Sequence, residues 1–556
     1  MTSLGKRLFF SCLLFVVTFY FFVSVGKWGF YYDDFGFLLH AKLESFADLK
    51  RIFFLQDIRY TYLSPDVSFE APTAITALYR PMQYVIFGIQ QLMFGLNSFS
   101  YYQATVALHA FNTVAIFNIF LAFMGCWGAC WGALLFALHY SLGRWFGIFY
   151  NQIYVLDLFF LILISLLLLQ FLRSKRFIYY VLSCLLFLMQ LLVKETLIII
   201  PAWVFCAVYF YESLEKETYL RFKSFMKAFA ASVGYGFMVG VYTLIRLYVL
   251  PGPAAAPSFL ASFSFSHVFE FIQARFFMYV SYLCDLTGIA LMPNNMRLVK
   301  GTMLLAVGLL LFYPFWAKKQ KGVAVFLVIS TLLFTWPSVL LFHLCRYIYV
   351  GLPFVCALFG YALDYFLKNK VVLSTFVCCY LMVFLGLNSL RLVMFQSQKA
   401  EVLSLVTMQL QSLSAYKNIN KRTICLVGLP KQFFFSGAAQ ALELYTGGPV
   451  DVHYDGNDFL MKNALVSDGV FEFVMPKSAV FVTLQANEIT IKILDGWYFL
   501  NGLNPVGYLG TFQVNAVNND GLATDVTIKL KEEVLAKNPL FVTWDYQENQ
   551  LRVLNS

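Results

Sequence analysis

Charged side chains are scarce in this chain of 556 residues: they make up 13% of it, while hydrophobic residues make up 60%. A soluble domain of ordinary composition is about 25% charged, and the mean hydropathy of this chain is +0.70. The scarcity of charge excludes a soluble globular protein. The composition instead predicts an α-helical polytopic membrane protein.

Several signatures of cofactor and metal sites are also missing. The sequence has no phosphate-binding loop, no dinucleotide fingerprint and no internal repeat. Of the 11 cysteines only Cys425 lies in the polar C-terminal part, and no CxxC pair or His/Cys spacing suggests zinc. These absences exclude a disulfide framework, and they predict no metal site of this kind and no bound dinucleotide.

The excess of positive charge is unevenly distributed. The formal net charge is +10, and residues 416–556 carry 11 Lys and Arg against 14 Asp and Glu, so the remaining chain carries +13. This excess lies in short loops between apolar runs, a distribution that sets membrane topology. We therefore expect membrane lipid, and not nucleic acid, as a partner.

Eleven apolar runs are long enough, or nearly so, to cross about 30 Å of hydrocarbon. The first follows Lys6 and Arg7, and no small-residue cleavage site follows it, which predicts an uncleaved membrane span. The predicted spans are residues 7–26, 101–123, 127–141, 153–172, 177–193, 196–211, 228–249, 300–317, 323–341, 347–366 and 371–391.

The basic loops are consistent with eleven spans. With this number all five basic segments fall on one face, which the positive-inside rule makes cytoplasmic: residues 6–7, 173–176, 216–227, 318–321 and 368–370. The N-terminus is then cytoplasmic and residues 392–556 lie outside. The chain contains no Asn-x-Ser/Thr sequon, which favours a bacterial inner membrane with a periplasmic C-terminal part over the endoplasmic reticulum.

Two further apolar stretches, residues 81–95 and 275–292, would disturb this arrangement if they crossed the membrane. We assign both to helices at the outer surface, and the first begins with Pro81, which suits a helix start. A thirteen-span arrangement in which both cross is the main alternative.

The C-terminal part differs in character from the rest. From about Thr423 it has alternating or β-branched runs separated by Gly, Asn and Asp turns, at residues 479–484, 488–494, 525–530 and 540–544. We predict a transmembrane domain over residues 1–398, with a first extracytoplasmic loop at 27–100. An extracytoplasmic α+β or mostly β domain over 399–556 follows, joined by a helix near 399–414.

Two adjacent carboxylates, Asp33 and Asp34, lie just beyond the first apolar run. A carboxylate pair at a membrane surface contributes nothing to anchoring, which favours a functional site over a solvated loop. The eleven-span topology places further ionisable residues at the same outer face. They are Arg59, Arg80, Arg144, Lys194, Glu195, Arg246 and Arg346.

The arginines of this outer face predict that the site binds an anionic group. Arg246 and Arg346 oppose the positive-inside trend, and guanidinium groups bind phosphate through paired hydrogen bonds. Structural alternatives exist for other members: Arg80 could be a snorkelling anchor, and Lys194 and Glu195 could neutralise each other in a tight loop. His109 and His139 lie in or beside apolar helices, where histidine is usually a hydrogen-bonded packing residue.

The order of short motifs over residues 30–360 resembles the GT-C superfamily of polytopic membrane glycosyltransferases. The resemblance is greatest to the protein O-mannosyltransferase-like group that carries tetratricopeptide repeats, although the repeats are absent here. The matching motifs are Tyr79-Arg80-Pro81-Met82, residues 94–99, Tyr102, Leu108-His109-Ala110-Phe111-Asn112, residues 135–139, Lys194-Glu195, Leu244-Ile245-Arg246 and Arg346-Tyr347-Ile348-Tyr349.

The resemblance implies transfer of a sugar from a polyprenyl-phosphate donor to an acceptor hydroxyl. We expect inversion, since the sequence offers one base and no second positioned carboxylate nucleophile. Asp34 would be the general base, with Asp33 as the alternative base or as a ligand of a divalent cation, Mg²⁺ or Mn²⁺. The donor phosphate would be bound by Arg246, Arg346, Lys194 and Arg80. Other substrate contacts would come from Glu195, Tyr347, Tyr79, Arg144 and His139.

Other interpretations stay open at this point. Tyr31, Tyr32, Tyr60, Tyr62 and Tyr79 could stack on a sugar or could form the aromatic belt of the membrane interface. A flippase or polymerase of lipid-linked glycans, or another transporter, would also need a basic outer face. Transport predicts acidic residues near the membrane midplane, and the predicted helices contain few besides Asp157 and Asp285. A membrane scaffold would leave the outer cluster of charges unexplained.

Overall fold

The computed structural model describes more than half of the chain. The described residues are 3–23, 29–30, 33–54, 79–139, 142, 151–215, 222–249, 308–309, 311–316, 321–340, 348–369, 404–415, 424–426, 438–446, 452–454, 465–467, 480–485, 488–493, 497–499, 510–517, 523–530, 540–545 and 550–554.

Helices make up most of the described chain. In sequence order they are α1 (Ser3–Phe22), α2 (Asp33–His40), α3 (Phe46–Phe54), α4 (Pro81–Phe94), α5 (Ser98–Phe120), α6 (Cys126–Ala137), α7 (Gln152–Ser174), α8 (Phe177–Val193), α9 (Ile200–Glu215), α10 (Phe222–Val249), α11 (Lys321–Leu340), α12 (Leu352–Asn369), α13 (404–414) and α14 (Ala438–Thr446).

Four of these helices, α1, α5, α7 and α10, are long and apolar enough to cross a membrane, and α6, α8, α9 and α11 contain shorter apolar stretches. This agrees with a multi-pass membrane protein. Nine predicted spans coincide with helices α1 and α5 to α12. Of the other two, 300–317 is described only at 308–309 and 311–316, where it is helical, and 371–391 lies outside the described residues. The number of crossings stays a prediction.

The stretch from residue 81 to 95 is a helix, α4, with clear signals at both ends. Pro81 occupies the first helical position, where its missing N–H costs no hydrogen bond and its fixed φ suits the helix. Gly95 ends the helix with φ +58°, a backbone conformation that residues with a Cβ seldom adopt. The structure contains no membrane, so the depth of α4 in the lipid stays a prediction.

Helices α6 and α12 touch backbone to backbone. A Cβ on Gly128 would overlap the Gly360 carbonyl oxygen, and a Cβ on Gly360 would overlap the Gly128 carbonyl oxygen. Small residues at such crossings let membrane helices approach closely and gain van der Waals contact. The contact joins the early membrane helices to the late ones.

Strands appear only after residue 423 in the described chain. Strands β1 (Ile424–Leu426), β2 (Val452–Tyr454), β9 (Leu540–Asp545) and β10 (Gln550–Val553) form a sheet in the order β10-β9-β1-β2, in which β1 is parallel to both of its neighbours. Helix α14 lies in the chain between the parallel strands β1 and β2. This is the usual connection between parallel neighbours.

A second sheet is antiparallel throughout, in the order β4-β5-β8-β7. Its strands are β4 (Val480–Gln485), β5 (Glu488–Ile493), β7 (Gly510–Val517) and β8 (Ala523–Leu530), while β3 (Leu465–Ser467) pairs with β6 (Trp497–Phe499). Strands β4, β5, β8 and β9 coincide with the four predicted runs. The division into two domains and the outward location of the second stay predictions.

Candidate functional site

Helix α2 begins with the acid pair Asp33 and Asp34. Acidic residues are favourable in a first helical turn, where the backbone N–H groups carry partial positive charge. The Asp34 side chain is buried, and the Tyr102 hydroxyl of α5 lies 3.3 Å from its Oδ2 and 3.0 Å from the Gly29 carbonyl oxygen. Tyr102 therefore fixes the carboxylate of Asp34 against the membrane helices.

Helices α2 and α4 run in parallel, which relates the acid pair to Arg80. The Phe37 ring lies 5.6 Å from the Tyr84 ring, and four residues further along both segments Gly88 of α4 contacts the carbonyl of Ala41, which directly follows α2. Because the two contacts advance together, the first turns of α2 and α4 lie at the same end of the pair. Asp34 and Arg80 both belong to that end.

Arg80 makes a two-point ion pair with Glu195. Its Nε donates to Glu195 Oε2 at 2.9 Å and its Nη2 donates to Oε1 at 2.6 Å, and only 12% and 26% of the two side chains are exposed. Burial alone would raise the pKa of Glu195, but the Arg80 guanidinium outweighs it and lowers that pKa to about 2. The pair ties the start of α4 to the 3₁₀ turn Glu195–Leu197 between α8 and α9.

Lys194 interacts electrostatically with the neighbouring Glu195, and its ammonium group also lies over an aromatic ring. Its Nζ lies 3.1 Å from the centroid of the Tyr154 ring, and only 2% of the residue is exposed. A cation over an aromatic face is attracted by the ring quadrupole, most strongly where water is excluded. Lys194 also interacts electrostatically with Asp157 of α7.

Asp157 belongs to the same group of charges, although the sequence shows it only as an acid within a predicted span. It is fully buried, its Oδ1 accepts from Gln190 Nε2 at 3.0 Å, and its Oδ2 accepts from Thr196 Oγ1 at 2.8 Å. Gln190 also donates to the Lys194 carbonyl at 2.8 Å. A buried carboxylate needs such partners, because losing its hydration costs several kcal/mol. No spacing in the sequence connects α7 to this turn.

Tyr242 of α10 brings Arg246 into the same cluster. The Tyr242 hydroxyl donates to the Tyr79 carbonyl oxygen at 3.4 Å, and this side chain interacts with Arg246, Arg80 and Glu195. Five residues that the sequence predicted separately thus share one neighbourhood. They are Arg80, Lys194, Glu195, Arg246 and Tyr79, and with Asp157 we call them the basic cluster.

An apolar cavity of about 440 Å³ lies beside the basic cluster. It is bounded by the end of α3, by Tyr79 and by the last turns of α10, with Leu244 and Ile245 directly before Arg246. Its lining is almost entirely carbon: Phe53, Phe54, Tyr79, Leu244, Ile245, Tyr248 and Val249. Two of the lining residues, Tyr79 and Ile245, directly precede Arg80 and Arg246 in the chain, so the cavity and the basic cluster are neighbours.

Three of the sequence motifs meet around His109. Its Nδ1 lies 2.7 Å from the Tyr349 hydroxyl and its Nε2 lies 3.1 Å from the Ala137 carbonyl oxygen, while Asn112 donates to the Val155 carbonyl at 2.9 Å. His109 is thus a buried, hydrogen-bonded packing residue, as one interpretation of the sequence held. His139 is buried just after α6.

Some predicted site residues lie outside the described residues. These are Tyr31, Tyr32, Arg59, Tyr60, Tyr62, Arg144, Arg346 and Tyr347. Within the described chain no group of three or more His, Cys, Asp or Glu side chains is placed to hold a metal ion. A divalent cation on Asp33 and Asp34 stays a prediction.

The described helices and their apolar surfaces define a multi-pass membrane protein. No protein-family model matches the chain, and no curated protein matches it. Among solved structures, it is similar to the Archaeoglobus fulgidus oligosaccharyltransferase in complex with Zn and sulfate, with 11% identity and a TM-score of 0.46 over 79% of this chain and 62% of that chain.

A second similar structure is the same archaeal oligosaccharyltransferase tethered by a disulfide bond to an acceptor peptide containing the NVT sequon. Here the identity is 11% and the TM-score 0.43, over 80% of this chain and 64% of that chain. The chain thus spans less than two thirds of the length of both structures. At these values the similarities assign no family to the chain.

Proposed function

We propose that this protein is a membrane glycosyltransferase of the GT-C type. It moves a sugar from a polyprenyl-phosphate donor to an acceptor hydroxyl on the extracytoplasmic face, with inversion at the anomeric carbon. The observation that carries the proposal is the apolar cavity whose lining residues Tyr79 and Ile245 directly precede Arg80 and Arg246 of the basic cluster, at the same end of α4 as the acid pair.

The cavity and the cluster match the two halves of such a donor. An isoprenoid chain is apolar and gains free energy by leaving water for a carbon-lined site, while its phosphate needs cationic donors in a poorly hydrated place. Arg246 follows the cavity residues Leu244 and Ile245 directly in α10. It is therefore our first candidate for the phosphate contact, with Arg346 as the predicted second.

Within the basic cluster, the contacts of Arg80 and Lys194 define the role that we propose for these two cations. Arg80 keeps its two-point contact with Glu195, and Lys194 lies between Tyr154 and Asp157. In the proposal these two cations contribute positive potential near the phosphate and hold the turn between α8 and α9 in place. Preorganised charge of this kind stabilises the leaving group as negative charge develops on it.

The acid pair supplies the proposed base. One carboxylate, Asp34 as our first choice, accepts the proton of the acceptor hydroxyl as its oxygen bonds to the anomeric carbon. The bond from that carbon to the phosphate oxygen breaks, and polyprenyl phosphate leaves with the electron pair. Asp33 is the alternative base, and Mg²⁺ or Mn²⁺ on the two aspartates is the alternative role for the pair.

The test is sugar transfer by the purified protein in lipid nanodiscs with radiolabelled polyprenyl-phosphate hexoses and pentoses. We expect transfer of label to endogenous protein, lipid or polysaccharide acceptors from the source membranes. Asp34→Asn should lower the rate by at least about 100-fold, in line with the usual contribution of a general base.

Glu44→Gln is the matched control, since Glu44 is an exposed acid paired with Lys42 in the segment after α2. It should leave the rate unchanged. Full activity in both Asp33→Asn and Asp34→Asn would remove the acid pair from the mechanism. Absence of transfer with every donor would reject the glycosyltransferase assignment.

Transport of a lipid-linked glycan is the second candidate, and Asp157 is the observation that favours it. Transporters place ionisable groups within the membrane at broken helices, and Asp157 is a fully buried acid in α7 near the break between α8 and α9. Proteoliposomes loaded with a fluorescent lipid-linked sugar distinguish the two. A quencher added outside reaches only the lipid-linked sugar of the outer leaflet. If the protein makes the sugar of the inner leaflet accessible to the quencher and no sugar transfer occurs, transport is favoured.

A further inference from the structure

The C-terminal part contacts the helix that bears the acid pair. Helix α14 packs against α2, and the Tyr445 ring lies 5.9 Å from the Phe35 ring in an edge-to-face arrangement at 73°. Phe35 follows Asp34 directly in the chain and is fully buried. The contact therefore acts on the first turn of α2, where Asp34 lies.

A second contact reaches the other side of the acid pair. Thr407 of α13 donates its hydroxyl to the Phe30 carbonyl oxygen at 3.3 Å. The Phe30 ring meets the Phe35 ring at 5.9 Å and the Tyr101 ring of α5 at 5.3 Å. The chain is thus held by the C-terminal part both before and after Asp33 and Asp34.

The two contacting helices belong to one structural unit. Gln409 of α13 accepts a hydrogen bond from the Leu551 backbone N–H of β10 at 3.1 Å. Strand β10 pairs with β9, β9 pairs with β1, and α14 joins β1 to β2. Because α13 and α14 are tied to the same sheet, a movement of that sheet moves both contacts together.

The sheet β10-β9-β1-β2 and the helices α13 and α14 form what we call the sheet unit. We propose that the sheet unit positions the acid pair: α13 and α14 hold α2 on one side, while Tyr102 of α5 holds Asp34 on the other. Thr407 and Tyr445 are positioning residues, since they act through Phe30 and Phe35. The inference rests on the proposed function for its catalytic consequence. A base that is misplaced by about 1 Å can lose on the order of 100-fold in rate, whereas donor binding at the basic cluster does not depend on this contact.

The first measurement does not need the activity. Amide hydrogen exchange reports local opening, so we expect Tyr445→Ala to raise the exchange rate of the α2 amides by at least about fivefold. Tyr445→Phe keeps the ring and should behave as the wild type. Met408→Ala is the matched control, because Met408 follows Thr407 in α13 and is 52% exposed.

The second measurement is the kcat and KM of sugar transfer. It distinguishes positioning of the acid pair from loss of the fold and from binding of the acceptor by the C-terminal part. We expect Tyr445→Ala and Thr407→Val to lower kcat at least about tenfold, with donor and acceptor KM changed less than about threefold. Tyr445→Phe and Thr407→Ser should restore kcat. Tyr445→Leu, which keeps an apolar contact, covers the case in which Tyr445→Ala does not fold.

Each outcome decides the matter. Unchanged exchange in α2 for Tyr445→Ala, or for Tyr445→Leu if the alanine variant does not fold, would overturn the proposal. So would an acceptor KM that rises while kcat stays constant, since the C-terminal part would then guide the acceptor. If the wild type transfers no sugar at all, the proposed function fails, while the exchange experiment still decides whether the sheet unit holds α2.

Discussion

Glu195 carries the clearest consequence for single residues. Its carboxylate interacts with Arg80 in a geometry that an amide cannot reproduce, and its pKa is lowered to about 2 from an ordinary value of 4.5. A carboxylate whose pKa is lower in the folded state stabilises that state above the unfolded pKa. The contribution is therefore complete above about pH 4.5 and is lost as the pH falls from 4.5 towards 2.

We predict that Glu195→Gln lowers the free energy of unfolding of the purified protein at pH 7 by up to about 3 kcal/mol. The difference between variant and wild type should shrink as the pH falls from 4.5 to 3. Thermal unfolding followed by tryptophan fluorescence in detergent at several pH values measures it. A difference that stays constant over this range would contradict the ion-pair assignment.

Lys194 shows what a single sequence can and cannot predict at this scale. The residue types Lys194 and Glu195 and their location between two apolar runs were readable directly. Their partners were not, because Arg80 lies far away in the chain and Asp157 and Tyr154 belong to a helix with no sequence signal toward this turn. Hydropathy predicts which segments are helical, but it carries no information about which polar side chains meet across them.

A change at Lys194 tests its electrostatic role. We predict that Lys194→Met keeps most of the side-chain volume but lowers sugar transfer at least about tenfold, because Asp157 loses a nearby cation and the proposed phosphate site loses positive potential. Initial rates against donor concentration measure it. Lys42→Met, at an exposed position, is the control and should leave the rates unchanged.

At the scale of elements, the helices and strands followed from local pattern more completely than the site did. Pro81 predicted the start of α4, and alternating residues predicted β4, β5, β8 and β9. The contact of α6 with α12 was not predictable, since Gly128 and Gly360 look like ordinary residues of apolar helices. Only their mutual approach in space gives them a structural role.

That contact gives a prediction about stability. Gly128→Ala places a methyl group against the Gly360 carbonyl, and overpacking of this kind costs about 1–3 kcal/mol. Gly240→Ala in α10 is the matched control, because a Cβ there meets nothing within 4 Å and alanine favours a helix over glycine. Chemical unfolding in detergent should show a loss only for the first variant, and equal midpoints would argue against the contact.

For the whole molecule, the distribution of charge predicts the orientation in the membrane. The described helices agree with several crossings, and the positive excess outside residues 416–556 predicts their orientation. Both the eleven-span and the thirteen-span arrangement leave the C-terminal part outside. They place every loop between α4 and residue 275 on opposite sides of the membrane, including the connection between α4 and α5 and the basic turn after α7.

Reporter fusions distinguish these arrangements. We predict that alkaline phosphatase fused after Asn97, which lies between α4 and α5, is active, because eleven spans keep this point outside the cytoplasm. A fusion after Lys175, in the basic turn between α7 and α8, should be inactive with eleven spans and active with thirteen, so the two fusions give opposite results in each arrangement. An inactive fusion at Asn97 would favour thirteen spans.

The close approach of Gly128 and Gly360 also has a consequence for biosynthesis. The ribosome adds more than two hundred residues after α6 before it completes α12, which takes about 10 to 50 s at ordinary elongation rates. During this interval Gly128 of α6 lacks its contact with α12, and His109 lacks its hydrogen bond to the Tyr349 hydroxyl. The packing of α6 and of His109 can therefore be completed only after the late helices have been synthesised.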